Sequence, residues 1–117
     1  MKTFMAIYTG TPESMAQARW NALSDTERTA REAEAMQVWG KWMADNAGAI
    51  VNPGGPLGKT KAVTPDGISD IRNVMAAYVI VRAETHEAAA KMFVNHPHFT
   101  IFPGDSVEIM ECLPMPG

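Results

Sequence analysis

The chain has 117 residues, 46% of them hydrophobic and 20% charged, with a formal net charge of -3. This length predicts one domain spanning 1–117, and the composition excludes a charge-rich disordered segment. The ten basic residues are scattered, which excludes the clustered cationic face that nucleic acid needs, and no run approaches the ~18 apolar residues of a membrane span.

In chain order, "KTFMAIYT" reads as a first strand ended by Gly10, with Phe4, Ala6 and Tyr8 on one face and Met5, Ile7 and Thr9 on the other. "TPES" offers Thr11 as N-cap and Pro12 as first helical residue of a short helix over 12–23. Ser24 and Glu27 have capping-box spacing ahead of a longer helix, in which Ala35 or Met36, Trp39, Trp42 or Met43, and Ala47 form an apolar stripe that Gly48 ends. "AIVNPGGPLG" predicts an edge or bulged strand, because its prolines and glycines cannot continue a ladder. "KTKAVTPDGISDIRN" (59–73) reads as a polar loop or the connection of a long hairpin. "VMAAYVIVRA" is the clearest strand and is apolar on both faces. "THEAAAKMFVN" predicts a helix capped by Thr85 and stopped before Pro97. "SVEIMEC" alternates as the last strand, and "LPMPG" is an irregular tail.

The order βαββαβ predicts an α+β, ferredoxin-like fold with a four-stranded antiparallel sheet and both helices on one face. The uncovered face carries apolar residues of both central strands, so a homodimer, sheet face against sheet face, is expected. The lone Cys112 precludes an intrachain disulfide and "MKTFMAIYTG" is too short an apolar run for a signal peptide, so a cytoplasmic location is expected.

Several stretches in this order resemble the YCII-related family and its DGPF-type branch. "MKTFMAIYTG" is similar to the family's opening strand, and "MQVWGKWMADNAGAIVNPGGPLG" to its helix, apolar strand and Gly-x-Pro-Leu type bend. "AAYVIVRAETHEAAAKMFVNHPH" resembles its strand, helix and Pro-His corner, and "GDSVEIMEC" its closing glycine and Val-Glu strand. The resemblance implies a dimeric α+β barrel, with lyase-like action on chlorinated aromatic hydroxyquinols or binding of small molecules as the implied activities. The departures are Asp66-Gly67-Ile68-Ser69 in place of Asp-Gly-Pro-Phe, and Met110-Glu111 in place of the arginine and proline that often follow the last strand's glutamate. No histidine lies near 24–34, so a catalytic dyad built on a histidine there does not carry over.

His98 matches the Pro-His corner and lies seven residues before Asp105, across a Pro103-Gly104 turn. A carboxylate on one imidazole nitrogen fixes the tautomer and raises basicity at the other, the arrangement of a general base and its orienter. The alternatives are a histidine capping the helix end and an Asx turn at Asp105. His96 is expected near the helix dipole, and His86 at the surface. Tyr8, Tyr78 and Arg82 are candidate ligand-binding residues for a small, aromatic or oxygenated organic molecule, and packing of the tyrosines across a dimer interface is the structural alternative. No metal-ligand spacing or phosphate-loop motif is present, and no cofactor is expected. Cys112 alternates with Met110 near the end of the last strand and reads as a buried, inert thiol.

These residues suit a small-molecule-binding homodimer, with cofactor-independent elimination or isomerisation by a histidine base as its chemistry if it is an enzyme. The alternative is a non-catalytic binding or regulatory module whose 59–73 segment contacts a protein partner. A monooxygenase-like dimeric barrel shares the fold but has no residue mark here.

Overall fold

The computed structural model describes residues 1–116; Gly117, the end of the tail, lies outside them. The first strand, β1 (Lys2–Thr9), alternates as its sequence dictates, with Phe4, Ala6 and Tyr8 buried on one side. The helix α1 (Met15–Asn21) starts later than the Thr11-Pro12 signal. Ser14 is its cap, accepting the Gln17 N–H at 3.0 Å, while Thr11 donates its hydroxyl to Asp105 instead. In α2 (Asp25–Asp45) Ser24 and Glu27 close the expected capping box reciprocally. The helix stops at Asn46, before Gly48, because the Asn46 amide donates to the Trp42 carbonyl and the chain tightens into a 3-10 turn.

The strand β2 (Ile50–Pro56) is an edge strand with two register shifts, as its proline and glycines predict. At Gly54 the backbone has φ 62° and approaches the Tyr78 carbonyl so closely that a Cβ would overlap it, so only glycine fits. Segment 59–73 is not a loop: β3 (Thr60–Thr64) and β4 (Gly67–Ile71) form a separate two-stranded hairpin around Pro65 and Asp66. Then follow β5 (Met75–Ala83), α3 (His86–Lys91), the short α4 (Pro97–Thr100) and β6 (Ser106–Glu111). The helix α3 ends short of the expected run to Asn95, its last carbonyls met by the backbone N–H groups of a turn over 92–95, and Pro97 opens α4 where a helix stop was expected.

The main sheet is antiparallel with strand order β2-β5-β1-β6, compatible with a ferredoxin-like fold carrying the β3-β4 hairpin as an insertion. One face meets the helices: Phe4 pairs with Val81 and Ala6 with Val79, and these pack with Ala89, Phe93, Trp39 and Trp42. Each fully buried Phe or Val side chain among them contributes about 1.5–3 kcal/mol. The other face carries Met5, Ile7, Tyr78, Ile80 and Met110, of which Met110 is exposed, Met5, Tyr78 and Ile80 are half-buried and Ile7 is buried. The radius of gyration, 16.1 Å over extents of 54 × 44 × 19 Å, exceeds the ~13 Å of a compact chain of this length. The chain is therefore a flat slab with a projecting hairpin. No helix among the described residues is long and apolar enough to cross a membrane.

Candidate functional site

The corner after α3 is built by backbone constraints. Asn95 takes a left-handed conformation, φ 59°, which asparagine tolerates better than most residues, and this turns the chain into His96-Pro97-His98. Pro97 opens α4 at its first position, and His96 is the cap: its Nδ1 accepts the His98 backbone N–H at 3.0 Å. The chain returns through Pro103 and Gly104, where the Gly104 N–H donates to the His98 carbonyl at 2.9 Å and the Asp105 N–H to the Thr9 carbonyl at 3.0 Å.

These bonds decide the histidine tautomers. Since Nδ1 of neutral His96 accepts a hydrogen, its proton sits on Nε2, which faces the Tyr8 hydroxyl at 3.2 Å. The Tyr8 oxygen accepts that hydrogen, so its own phenolic proton has no acceptor among the described residues. His98 Nε2 donates to the Thr9 carbonyl at 2.7 Å, leaving its Nδ1 as the uncommitted basic nitrogen of the pair.

The cluster is aromatic on nearly every side. Tyr8 packs against Trp39, Phe93, His96 and His98, and Trp39 meets His96 edge-on at 4.5 Å. Trp42 is anchored by its indole N–H on the Met92 carbonyl at 2.9 Å. His96 and His98 are 1% and 6% exposed, low enough that neither has room to hydrate as a cation. Burial, and then the neighbouring His98, push His96 down to about 4. Burial also lowers His98, while the Thr9 and Ser106 carbonyls and the Asp105 charge pull it back up. Burial raises the Tyr8 phenol above its ordinary range. At neutral pH all three groups are uncharged.

The residues singled out from sequence part company here. Asp105 bonds to Thr11, and the group that orients His98 is the Thr9 carbonyl, not a carboxylate. Tyr8 stands in the cluster, but Tyr78 and Arg82 project from the opposite face of the sheet, since Tyr78 pairs with Ile7 and Arg82 with Thr3. The two tyrosines therefore do not line one cleft. The Arg82 guanidinium donates to the Gly48 carbonyl at 3.0 and 3.1 Å. His86 is exposed, with Nε2 at 2.7 Å from the Ile109 carbonyl. Cys112 is exposed, not buried against Met110 as alternation suggested. Among the described residues no three His, Cys, Asp or Glu side chains converge on a point where a metal would sit.

Beside the cluster lies a cavity of about 360 Å³ between α1, the start of α2 and residues 99–103. Trp20, Leu23, Phe99 and Phe102 give it apolar walls, and Arg19 and Arg31 give it charge. Phe99 is shared, lining the cavity and packing on His98 at 5.3 Å, and Phe102 reaches Trp39 at 6.1 Å. His98 itself does not line it. A wider groove of about 840 Å³ at the base of the hairpin is lined by Lys59, Lys61, Asp70 and Arg72 and has no aromatic wall.

Sequence reasoning missed this cavity. Arg19 and Trp20 share the α1 sequence with Ala16, and Phe99, Phe102 and Pro103 share the stretch already flagged for its histidines; only the packing of α1 on that stretch joins them.

No protein-family model and no curated protein sequence matches the chain. Among solved structures it is similar to 5-chloro-2-hydroxyhydroquinone dehydrochlorinase (TftG) from Burkholderia phenoliruptrix AC1100 in complex with 2,5-dihydroxybenzoquinone, with a TM-score of 0.52 and 16% identity, covering 92% of this chain and 90% of that one. At that identity the likeness is one of fold, extending over nearly the whole length of both chains.

Proposed function

We propose that this chain is a single YCII-like, small-molecule-binding domain that works as a homodimer, with its ligand in the cavity beside the histidine corner. The observation that carries this is the pair of buried, neutral histidines with assigned tautomers, His96 and His98, packed directly behind an aromatic-walled cavity. Burial keeps both imidazoles neutral at physiological pH, the protonation state a general base needs, and Nδ1 of His98 is the nitrogen not engaged by the Thr9 carbonyl. Because His98 lies behind the cavity wall, a role as polar hook or general base for cofactor-independent elimination or isomerisation requires Phe99, which lines the cavity and packs on His98, to turn aside; Thr9 would orient the ring and Asp105 support the corner through Thr11 and its charge. The fold neighbour, a dehydrochlorinase with a bound quinone, is in keeping with that reading.

A ligand-observed NMR screen of small aromatic and carboxylic metabolites tests it. Wild type is expected to bind at least one class with a shift of the His98 ring signals, and His98→Ala to weaken that hit by roughly 10-fold or more. Hits indifferent to His98 would leave the corner a structural turn.

The homodimer rests on the apolar sheet face of Met5, Tyr78, Ile80 and Met110 around the buried Ile7, where Met110 is 47% exposed and Ile80 half-buried. In that assembly Tyr78 belongs to the interface. Ile80→Glu places an unpaired charge there, and the dimer is expected to weaken on the order of 100-fold while circular dichroism stays native. Light scattering that finds the same mass for both proteins at all concentrations would remove this part of the reading.

One observation favours the second reading, a module with a protein partner. The hairpin pairs only with itself and presents Val63 and Ile68, 77% and 71% exposed, side by side on one face.

A further inference from the structure

We infer that the cavity between α1, α2 and residues 99–103 selects an aromatic carboxylate, a ring system of one or two cycles carrying an anionic oxygen pair. This rests on the proposal that the cavity is the ligand compartment and adds to it the charge of the ligand and the residues that read it.

Two cations line the cavity, Arg19 from α1 and Arg31 from α2. The guanidinium is a rigid fork whose N–H groups match a carboxylate bidentately, and it carries charge at every relevant pH. Neither arginine is in an ion pair among the described residues. Arg28, between them in sequence, shows the contrast: it is committed to the Asn21 and Leu23 carbonyls and to Asp25. Glu27 lies close enough to Arg31 to feel its charge, but its carboxylate accepts the Ser24 backbone N–H at 3.0 Å, which holds it at the helix start. The positive charge at the cavity is thus without a bonded counterion, while Trp20, Phe99 and Phe102 supply flat faces, with the Trp20 and Phe102 rings 5.8 Å apart. An aliphatic anion would leave those faces empty, and a neutral ring would leave both guanidinium groups unused. A ring bearing a carboxylate uses both, and about 360 Å³ is the lower end of the range that small-molecule sites occupy.

The test is direct binding of 2-naphthoate, followed by tryptophan fluorescence and by NMR of the Trp20 indole N–H, against the neutral analogue 2-naphthalenemethanol. Wild type is expected to prefer the carboxylate by roughly 10-fold to 100-fold, since a charge-assisted pair discriminates on that scale. The preference is expected to shrink with added salt, because the arginines are exposed. Arg19→Gln with Arg31→Gln is expected to abolish the preference without removing binding of the alcohol, and both substitutions lie on solvent-facing helix positions that folding tolerates. If the two probes bind alike and the double substitution changes nothing, charge selection is overturned while the cavity remains a ligand compartment. If neither probe perturbs Trp20, both the selection and the compartment fail together.

Discussion

Gly104→Ala is expected to destabilise the protein by about 2–3 kcal/mol, a cost in the upper range for overpacking. The reason is local. A Cβ at position 104 would fall on the His98 imidazole, overlapping Nε2, Cδ2 and Cε1 at once. The backbone at Gly104 does not need a left-handed φ, so the glycine serves only to let the ring lie against the chain. The ring cannot swing aside cheaply, because Nε2 is bonded to the Thr9 carbonyl and Tyr8, Trp39 and Phe99 pack around it. Urea unfolding measures the loss, and a double-mutant cycle identifies its origin. With His98→Ala as background, the methyl group has room, and Gly104→Ala is expected to cost about 0.5 kcal/mol or less. A penalty of the same size in both backgrounds would locate the strain in the turn and not against the imidazole. The wild-type-background variant is also expected to lose whatever ligand binding depends on His98, because displacing the ring breaks the bond that sets its tautomer.

That coupling marks the boundary of what residue types reveal. The capping box of Ser24 and Glu27, the alternation of β5, the broken edge strand β2 and the Thr85 cap of α3 are legible, because each depends on residues within a few positions of one another. The flagged corner is legible in the same way: two histidines among prolines and glycine stand out from a chain otherwise patterned for core and surface. Its wiring is not. The partner of His98 is a backbone carbonyl 89 residues away, and every residue has one, so no spacing announces it. Asp105 is the more conspicuous candidate by chemistry, yet the return of β6 along β1 brings Thr11 within reach of its carboxylate first. The separation of Tyr8 from Tyr78 is a matter of register. Each strand's alternation is readable alone, but which parity of β5 joins which parity of β1 is set by the pairing of Ile7 with Tyr78. Segment 59–73 does connect the paired strands β2 and β5, as the long-hairpin alternative has it, but its own ladder is not legible: "TPDG" is a turn signal, yet strands of five residues with few apolar positions look like loop until their ladder is seen.

Lowering the pH from neutrality to about 4 is expected to cost the protein about 3 kcal/mol of stability through His96 alone. The unfolded histidine titrates near its ordinary value of about 6.5, whereas the buried one is held down to about 4. Above about 6.5 neither state binds the proton, and stability is at its plateau. Between the two values the unfolded chain takes up a proton that the folded chain refuses, so stability falls by up to about 1.4 kcal/mol per pH unit. Below about 4 the loss is complete. His98, lowered in the same direction, adds to the slope, whereas the exposed Glu27, whose folded value is depressed, contributes only below the ordinary carboxylate range. The geometry makes the refusal specific. A charged His96 needs a hydrogen on Nδ1, where the His98 backbone N–H already points, so the two donors would face each other at 3.0 Å. His96→Asn separates this effect from the rest: its side-chain oxygen can stand where Nδ1 stands and keep the cap, while nothing there titrates. The variant is expected to be less stable at pH 7, having lost the ring packing against Trp39 and Trp42 and the bond to Tyr8, but to lose distinctly less on acidification to pH 5. Urea denaturation of both proteins at pH 7, 6 and 5 decides it, and parallel slopes would show that His96 is not the group the folded corner keeps neutral.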